Sequence, residues 1–184
     1  MIDPINPRSR SDAYGSKINR DHSRIRAYTV PWLSVLVASI LPALFVATAI
    51  PLIPPLGFML FVTWRLVRPG LLPMWAGIPL GLFDDLFSGQ PLGFGIFAWS
   101  LTMLAIEAIE TRFPWRGFFQ DWLTAGVIFV IYILAGAILS GGRFDGVTLY
   151  ALAPQLVISV LAFPICARLI ALLDRARLKR VRVG

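Results

Sequence analysis

Residues 27–64 carry no charged side chain, and this run of 38 residues constrains the fold more than any other feature. As one helix at ~1.5 Å per residue it would be roughly 57 Å long, nearly twice a ~30 Å hydrocarbon core. It must therefore fold back, and Pro51, Pro54, Pro55 and Gly57 stand where a turn is needed. Low-charge runs follow at residues 69–83, 86–106, 122–142 and 146–167. The pattern predicts six membrane spans near residues 30–51, 54–68, 70–88, 91–109, 121–141 and 147–170. The second is short and is expected to be a tilted or re-entrant helix. Hydrophobic residues are 57% of the chain and charged residues 15%. A soluble domain has about 45–50% and about 25%, so the composition points away from one.

The basic residues test that count. Alternate loops on the cytoplasmic side should collect Lys and Arg. The N-terminal tail holds Arg8, Arg10, Lys17, Arg20, Arg24 and Arg26; the second loop holds Arg65 and Arg68; the fourth holds Arg112 and Arg116. Arg168, Arg175, Arg177, Lys179, Arg180 and Arg182 cluster at the C-terminal end, and only Arg143 falls on the opposite side. Five spans would break this alternation. Six spans with both termini in the cytoplasm preserve it and place the chain in a bacterial inner membrane. The net charge of +7 then follows from topology and implies no nucleic acid.

The expected organisation is a flexible basic tail over residues 1–26, a transmembrane helical domain over 27–170 and a basic extension over 171–184. The first apolar stretch starts behind a polar tail, which predicts a signal anchor rather than a cleaved leader. The basic residues near the end of the chain can snorkel to anionic headgroups or meet a cytoplasmic partner. The single cysteine, Cys166, can form no internal disulfide.

The densest motif runs from Gly77 through Gly81, Asp84, Asp85, Gly89 and Pro91 to Gly93. Gly77, Gly81 and Asp85 share one helix face, and small residues at that spacing let another helix approach closely. Pro91 is expected to end the helix, leaving Gly89 and Gly93 to serve a turn. The alternative to packing is a patch that binds a partner. Asp85 continues the glycine stripe and should point at a neighbouring helix or partner. Asp84 is rotated by about 100° from it, so one carboxylate can face the interior and the other water. The pair could cap the next helix, since an anion is stabilised at a helix N-terminus. Two adjacent aspartates do not by themselves make a metal site, and neither a metal nor a cofactor is expected.

Other polar groups in the spans predict structural roles. Glu107 and Glu110 are expected to pair locally with Arg112 and Arg116. Gln155 places a long amide inside the last span. Pro42 and Pro164 are expected kinks. Catalytic constellations are missing. The only histidine is His22, in the polar tail, which leaves neither a His-Glu-x-x-His zinc site nor a serine–histidine pair. An aspartyl protease needs carboxylates from two segments, whereas Asp84 and Asp85 are adjacent.

Trp64-Arg65-Leu66-Val67-Arg68-Pro69, followed by the segment from Gly81 to Gly93, resembles the rod shape-determining protein MreD family of bacteria. That family shows an aromatic-rich segment ending in Arg-Pro and then Gly-Leu-x-x-Asp-Leu-x-x-Gly-x-x-Leu-Gly. Asp85 matches the family aspartate, while Asp84 is an additional acid. The basic tail extends beyond the family's usual start. In size and hydropathy the likeness covers most of residues 30–175. It implies an all-α polytopic helical bundle similar to the substrate-binding subunit of energy-coupling-factor transporters. It also implies a non-enzymatic subunit that associates with the bitopic protein MreC. Through MreC, MreB filaments would be joined to the RodA polymerase and its transpeptidase in peptidoglycan synthesis. The competing expectation is a vitamin-binding transport subunit, which would need a polar pocket near Asp84, Asp85, Gln155 and Arg143.

Overall fold

The structure is a computed structural model and describes residues 24–44, 53–113, 117–142 and 145–178. The basic tail before Arg24, the turn proline Pro51, and Arg116, Arg143 and Lys179–Gly184 lie outside the described residues. Six α-helices and one short 3-10 turn are present among the described residues. They are α1 (Arg24–Leu44), α2 (Leu56–Val67), the 3-10 turn (Met74–Ala76), α3 (Gly77–Asp85), α4 (Phe94–Arg112), α5 (Phe118–Leu139) and α6 (Gly146–Leu178).

Three of them, α4, α5 and α6, are long and apolar enough to cross a membrane. The expected spans at 54–68 and 70–88 are instead helices of 12 and 9 residues. At ~1.5 Å per residue these reach only about 18 and 14 Å, so neither crosses a ~30 Å core alone. The cause is local. Pro54 and Pro55 delay the start of α2, and Pro69, Gly70 and Pro73 interrupt the chain before α3. Pro91 does not end α3, which stops at Asp85. The proline lies in the following loop, where its carbonyl accepts from Phe94 N–H at 3.0 Å and so starts α4.

α2 is the centre of the bundle and packs on α1, α4, α5 and α6. Ten consecutive residues, Gly57 to Leu66, are buried. A helix that is apolar all round belongs inside, which explains how so short an element persists. Its Phe58 and Phe61 meet Trp99 of α4 and Phe129 and Tyr132 of α5, with Phe58 stacked on Tyr132 at 3.9 Å between ring centroids. The outward faces of α5 and α6 remain apolar and exposed, as at Leu123, Ile131, Leu161 and Ile165. Apolar side chains in that position suit contact with lipid tails.

Candidate functional site

Two polar clusters sit at opposite ends of this bundle. The first is built from the C-terminal end of α2. Trp64 Nε1 donates to Ser34 Oγ of α1 at 2.9 Å. The Arg65 guanidinium donates to Glu110 Oε1 at 3.0 Å and also pairs with Glu107, both on α4. Arg68 pairs with Asp174 of α6. Three residues at and just beyond one short helix end thus tie down three other helices. Arg65 is only 3% exposed. An Arg suits this place because its planar fork can bond two carboxylates at once. Glu107 and Glu110 therefore share a partner 42 and 45 positions away, which the expected local pairing did not include; Arg116, one of the expected partners, lies outside the described residues.

The second cluster is the glycine–aspartate motif. Gly77 and Gly81 press directly on α4. A Cβ at Gly77 would lie 2.8 Å from Ser100 N, and one at Gly81 would lie 2.5 Å from Gly95 O. No side chain fits in either gap. Asp85 completes the face as a cap. Its carboxylate accepts from Gly93 N–H at 2.9 Å, Gly95 N–H at 2.7 Å and Ile96 N–H at 3.4 Å. These are the amides that an α-helix leaves without internal partners, and the carboxylate also faces the positive end of the helix dipole. Gly93 adopts φ +93°, a left-handed conformation that favours glycine. Gly89 turns the loop with φ +69°.

Asp84 is also buried, at 6% exposure against 4% for Asp85. The expectation that one of the pair faces water is corrected: rotation about α3 sends them into different parts of the interior. Asp84 Oδ2 accepts from the Tyr132 hydroxyl of α5 at 3.4 Å. Its Oδ1 lies against Gly57 of α2, where a Cβ would approach it to 2.9 Å and would collide with Ser39 Oγ of α1. Gly57 was expected only as a turn residue. Its role as the notch that admits Ser39 and Asp84 has no signature in the chain. Gln155 bonds the carbonyl of Ile53 through Nε2 at 2.9 Å, fixing the approach to α2 rather than lining an open pocket. Among the described residues no group of three His, Cys, Asp or Glu converges as a metal centre would require.

Long apolar helices, a buried short helix at their centre, and polar side chains engaged in helix-to-helix contacts define a helical membrane protein. The sequence model of the rod shape-determining protein MreD family matches residues 23–175. The chain belongs to that family, and so to the membrane proteins that determine rod shape. No curated protein and no solved structure matches it.

Proposed function

We propose that this chain is a non-enzymatic subunit of the cell-elongation machinery in the bacterial inner membrane. In this reading it holds an MreC-like bitopic protein and, through it, links MreB filaments to a RodA-type polymerase and its transpeptidase. Family membership over residues 23–175 is the observation that carries the proposal. The internal use of the polar residues supports it. Asp85 caps a helix, Arg65 joins helices, and the groove of about 420 Å³ between α5 and α6 is lined by apolar residues such as Leu123, Val127 and Val160. A vitamin-binding subunit would instead need convergent polar groups in an open cavity.

Both termini are cytoplasmic in this proposal. The ends of α2, α4 and α6 that carry Arg65, Arg68, Glu107, Glu110 and Asp174 meet at one end of the bundle. That end is assigned to the cytoplasm by the basic residues around it. The test is deletion of the chain combined with affinity purification in mild detergent. Cells should round, and recovery of the MreC-like protein with the wall-synthesis complex should fall. Rod-shaped cells that lose uptake of a vitamin would show the transport reading to be correct.

A further inference from the structure

The two sides of the bundle present apolar bands of different height. On α5 the exposed stripe runs from Phe119 through Leu123, Val127 and Ile131 to Leu139. At ~1.5 Å per residue it is about 30 Å tall and matches a ~30 Å hydrocarbon core. The corresponding stripe on the α3 side is Trp75, Ile78, Leu82 and Leu86, each about half exposed or more. It is only about 17 Å tall. Exposed Ser88 and Gly89 close it at one end, and exposed Arg68, Pro69 and Gly70 stand beyond the other.

Contacts with α4 show where the height is missing. Gly77 presses on Ser100, Gly81 presses on Gly95, and Asp85 holds Gly93 and Gly95. α3 is therefore antiparallel to α4 and starts level with Ser100. From Ser100, α4 continues for about 18 Å to Arg112, toward the Arg65 end of the bundle. Beside that stretch the chain is irregular over residues 68–73 and then forms the 3-10 turn Met74–Ala76, which packs on α4. Met74 and Trp75 are exposed, and no side chain caps the turn. The first amides of a helical run have no carbonyl behind them, and lipid tails cannot satisfy such groups. Trp75 lies against Trp32 of α1, 5.5 Å between ring centroids. Tryptophan collects at the membrane–water interface, so this pair marks an interface at the depth of the turn. On α4 the nearly half-exposed Glu107 follows Phe97 by only about 15 Å.

We propose that the α3 side of this chain thins the bilayer, drawing the phospholipid headgroups of the leaflet at the Arg65 end inward to Met74 and Trp75. The hydrocarbon beside α3 then narrows to roughly 20 Å, while the α5 side keeps the full ~30 Å. Tilting the bundle does not remove the difference, because tilt shortens the reach of a short face further. The close glycine contacts also prevent α3 from reorienting apart from α4. The ligand of this surface is phospholipid whose tails shorten or splay to follow it. This membrane-shaping activity is independent of the scaffolding reading, and either can fail without the other.

The test uses the purified full chain in phospholipid nanodiscs, with Cys166→Ser and one nitroxide attached at an introduced cysteine. Met74→Cys reports the turn. Leu161→Cys reports the exposed face of α6, about 10 Å inside Arg168. The nitroxide at position 74 should relax the lipid phosphorus nuclei several-fold more strongly than the one at position 161. It should also collide several-fold more often with a water-soluble nickel chelate. Equal phosphorus relaxation at the two positions would overturn the proposal. Nickel access at position 74 without phosphorus relaxation would mean a water-filled notch in the protein and would overturn it equally. If Met74→Cys does not fold, Ile78→Cys, one turn deeper, takes its place and should still exceed Leu161→Cys in phosphorus relaxation.

Discussion

Arg65 of α2 and Glu110 of α4, 45 residues apart in sequence, meet at 3.0 Å where the Arg65 side chain is almost wholly buried. Glu107 joins them from the same face of α4. Removing one member of a buried charged pair leaves its partner uncompensated, at a typical cost of about 3–5 kcal/mol. Glu107 is nearly half exposed, so the lower end applies here. Arg65→Met is expected to destabilise the chain by about 3 kcal/mol. Arg65→Lys should recover only part of that, because an ammonium cannot present the same planar fork. Thermal unfolding in detergent, with Glu110→Gln to complete a double-mutant cycle, measures the coupling. A coupling near zero would remove the pair from the account.

The contact between α3 and α4 tolerates no added atom at Gly81. Gly81→Ala places a Cβ against the Gly95 carbonyl, and Gly81→Leu must separate the helices. Both should lower the amount of folded protein, with leucine worse. Gly89 has open space around it and only its positive φ to lose, so Gly89→Ala should cost about 1–2 kcal/mol. Membrane levels and size-exclusion profiles rank the three. Equal tolerance would mean that the stripe is loosely packed.

Asp85 is expected to act through its cap. Asp85→Asn keeps one acceptor and should cost less than Asp85→Ala, which should lose about 1–2 kcal/mol. Hydrogen exchange at Gly93, Gly95 and Ile96 is the direct readout, since these amides are the ones Asp85 holds. Unchanged protection in Asp85→Ala would show the cap to be unimportant. If the same face binds the proposed partner, Asp85→Asn at normal membrane level should also round the cells.

Asp145 makes a pH-dependent contribution at the start of α6. The Thr148 hydroxyl and, second, the Thr148 N–H at 2.7 Å donate to its carboxylate and hold its pKa below the usual carboxylate value. A depressed folded pKa stabilises the fold above the unfolded pKa near 4, and that contribution is lost as pH falls through the folded value. Protection of the first turn of α6 should therefore decline below about pH 4 and lose that dependence in Asp145→Asn. Exchange rates measured across this range by mass spectrometry check the sign.

The proposed topology is open to reporter fusions. Fusions after Gly89 and Gly142 should report the periplasm, and fusions after Pro69 and Arg116 the cytoplasm. A periplasmic C-terminus would be incompatible with the proposed orientation.

Much of the fold was legible in one dimension because its causes are local. Charge-free runs force burial in lipid, and helices satisfy the backbone there without distant partners. Prolines at 54, 55, 69 and 73 mark breaks that the structure contains, although they cut more deeply than expected and leave α2 and α3 too short to span as helices alone, without the chain that flanks them. The Asp85 cap could be anticipated for the same reason, since donor and acceptor lie 8 to 11 residues apart. Hydropathy did not reveal which short helix occupies the centre, nor that Asp84 and Asp85 are both buried.

The long-range pairs were decided only by tertiary packing. Arg68 finds Asp174 across 106 positions, and Gln155 finds the Ile53 carbonyl across 102. Nothing in either residue's own segment selects those partners. A helix presents many directions, and which one carries a polar group to another depends on how every neighbouring helix is tilted and rotated. The chain by itself determined that these residues would lie in apolar helices near breaks and ends. Packing around α2 determined which of them would meet, because a polar or charged group left inside the bundle is stable only where packing brings it a counter-charge or a hydrogen-bond partner.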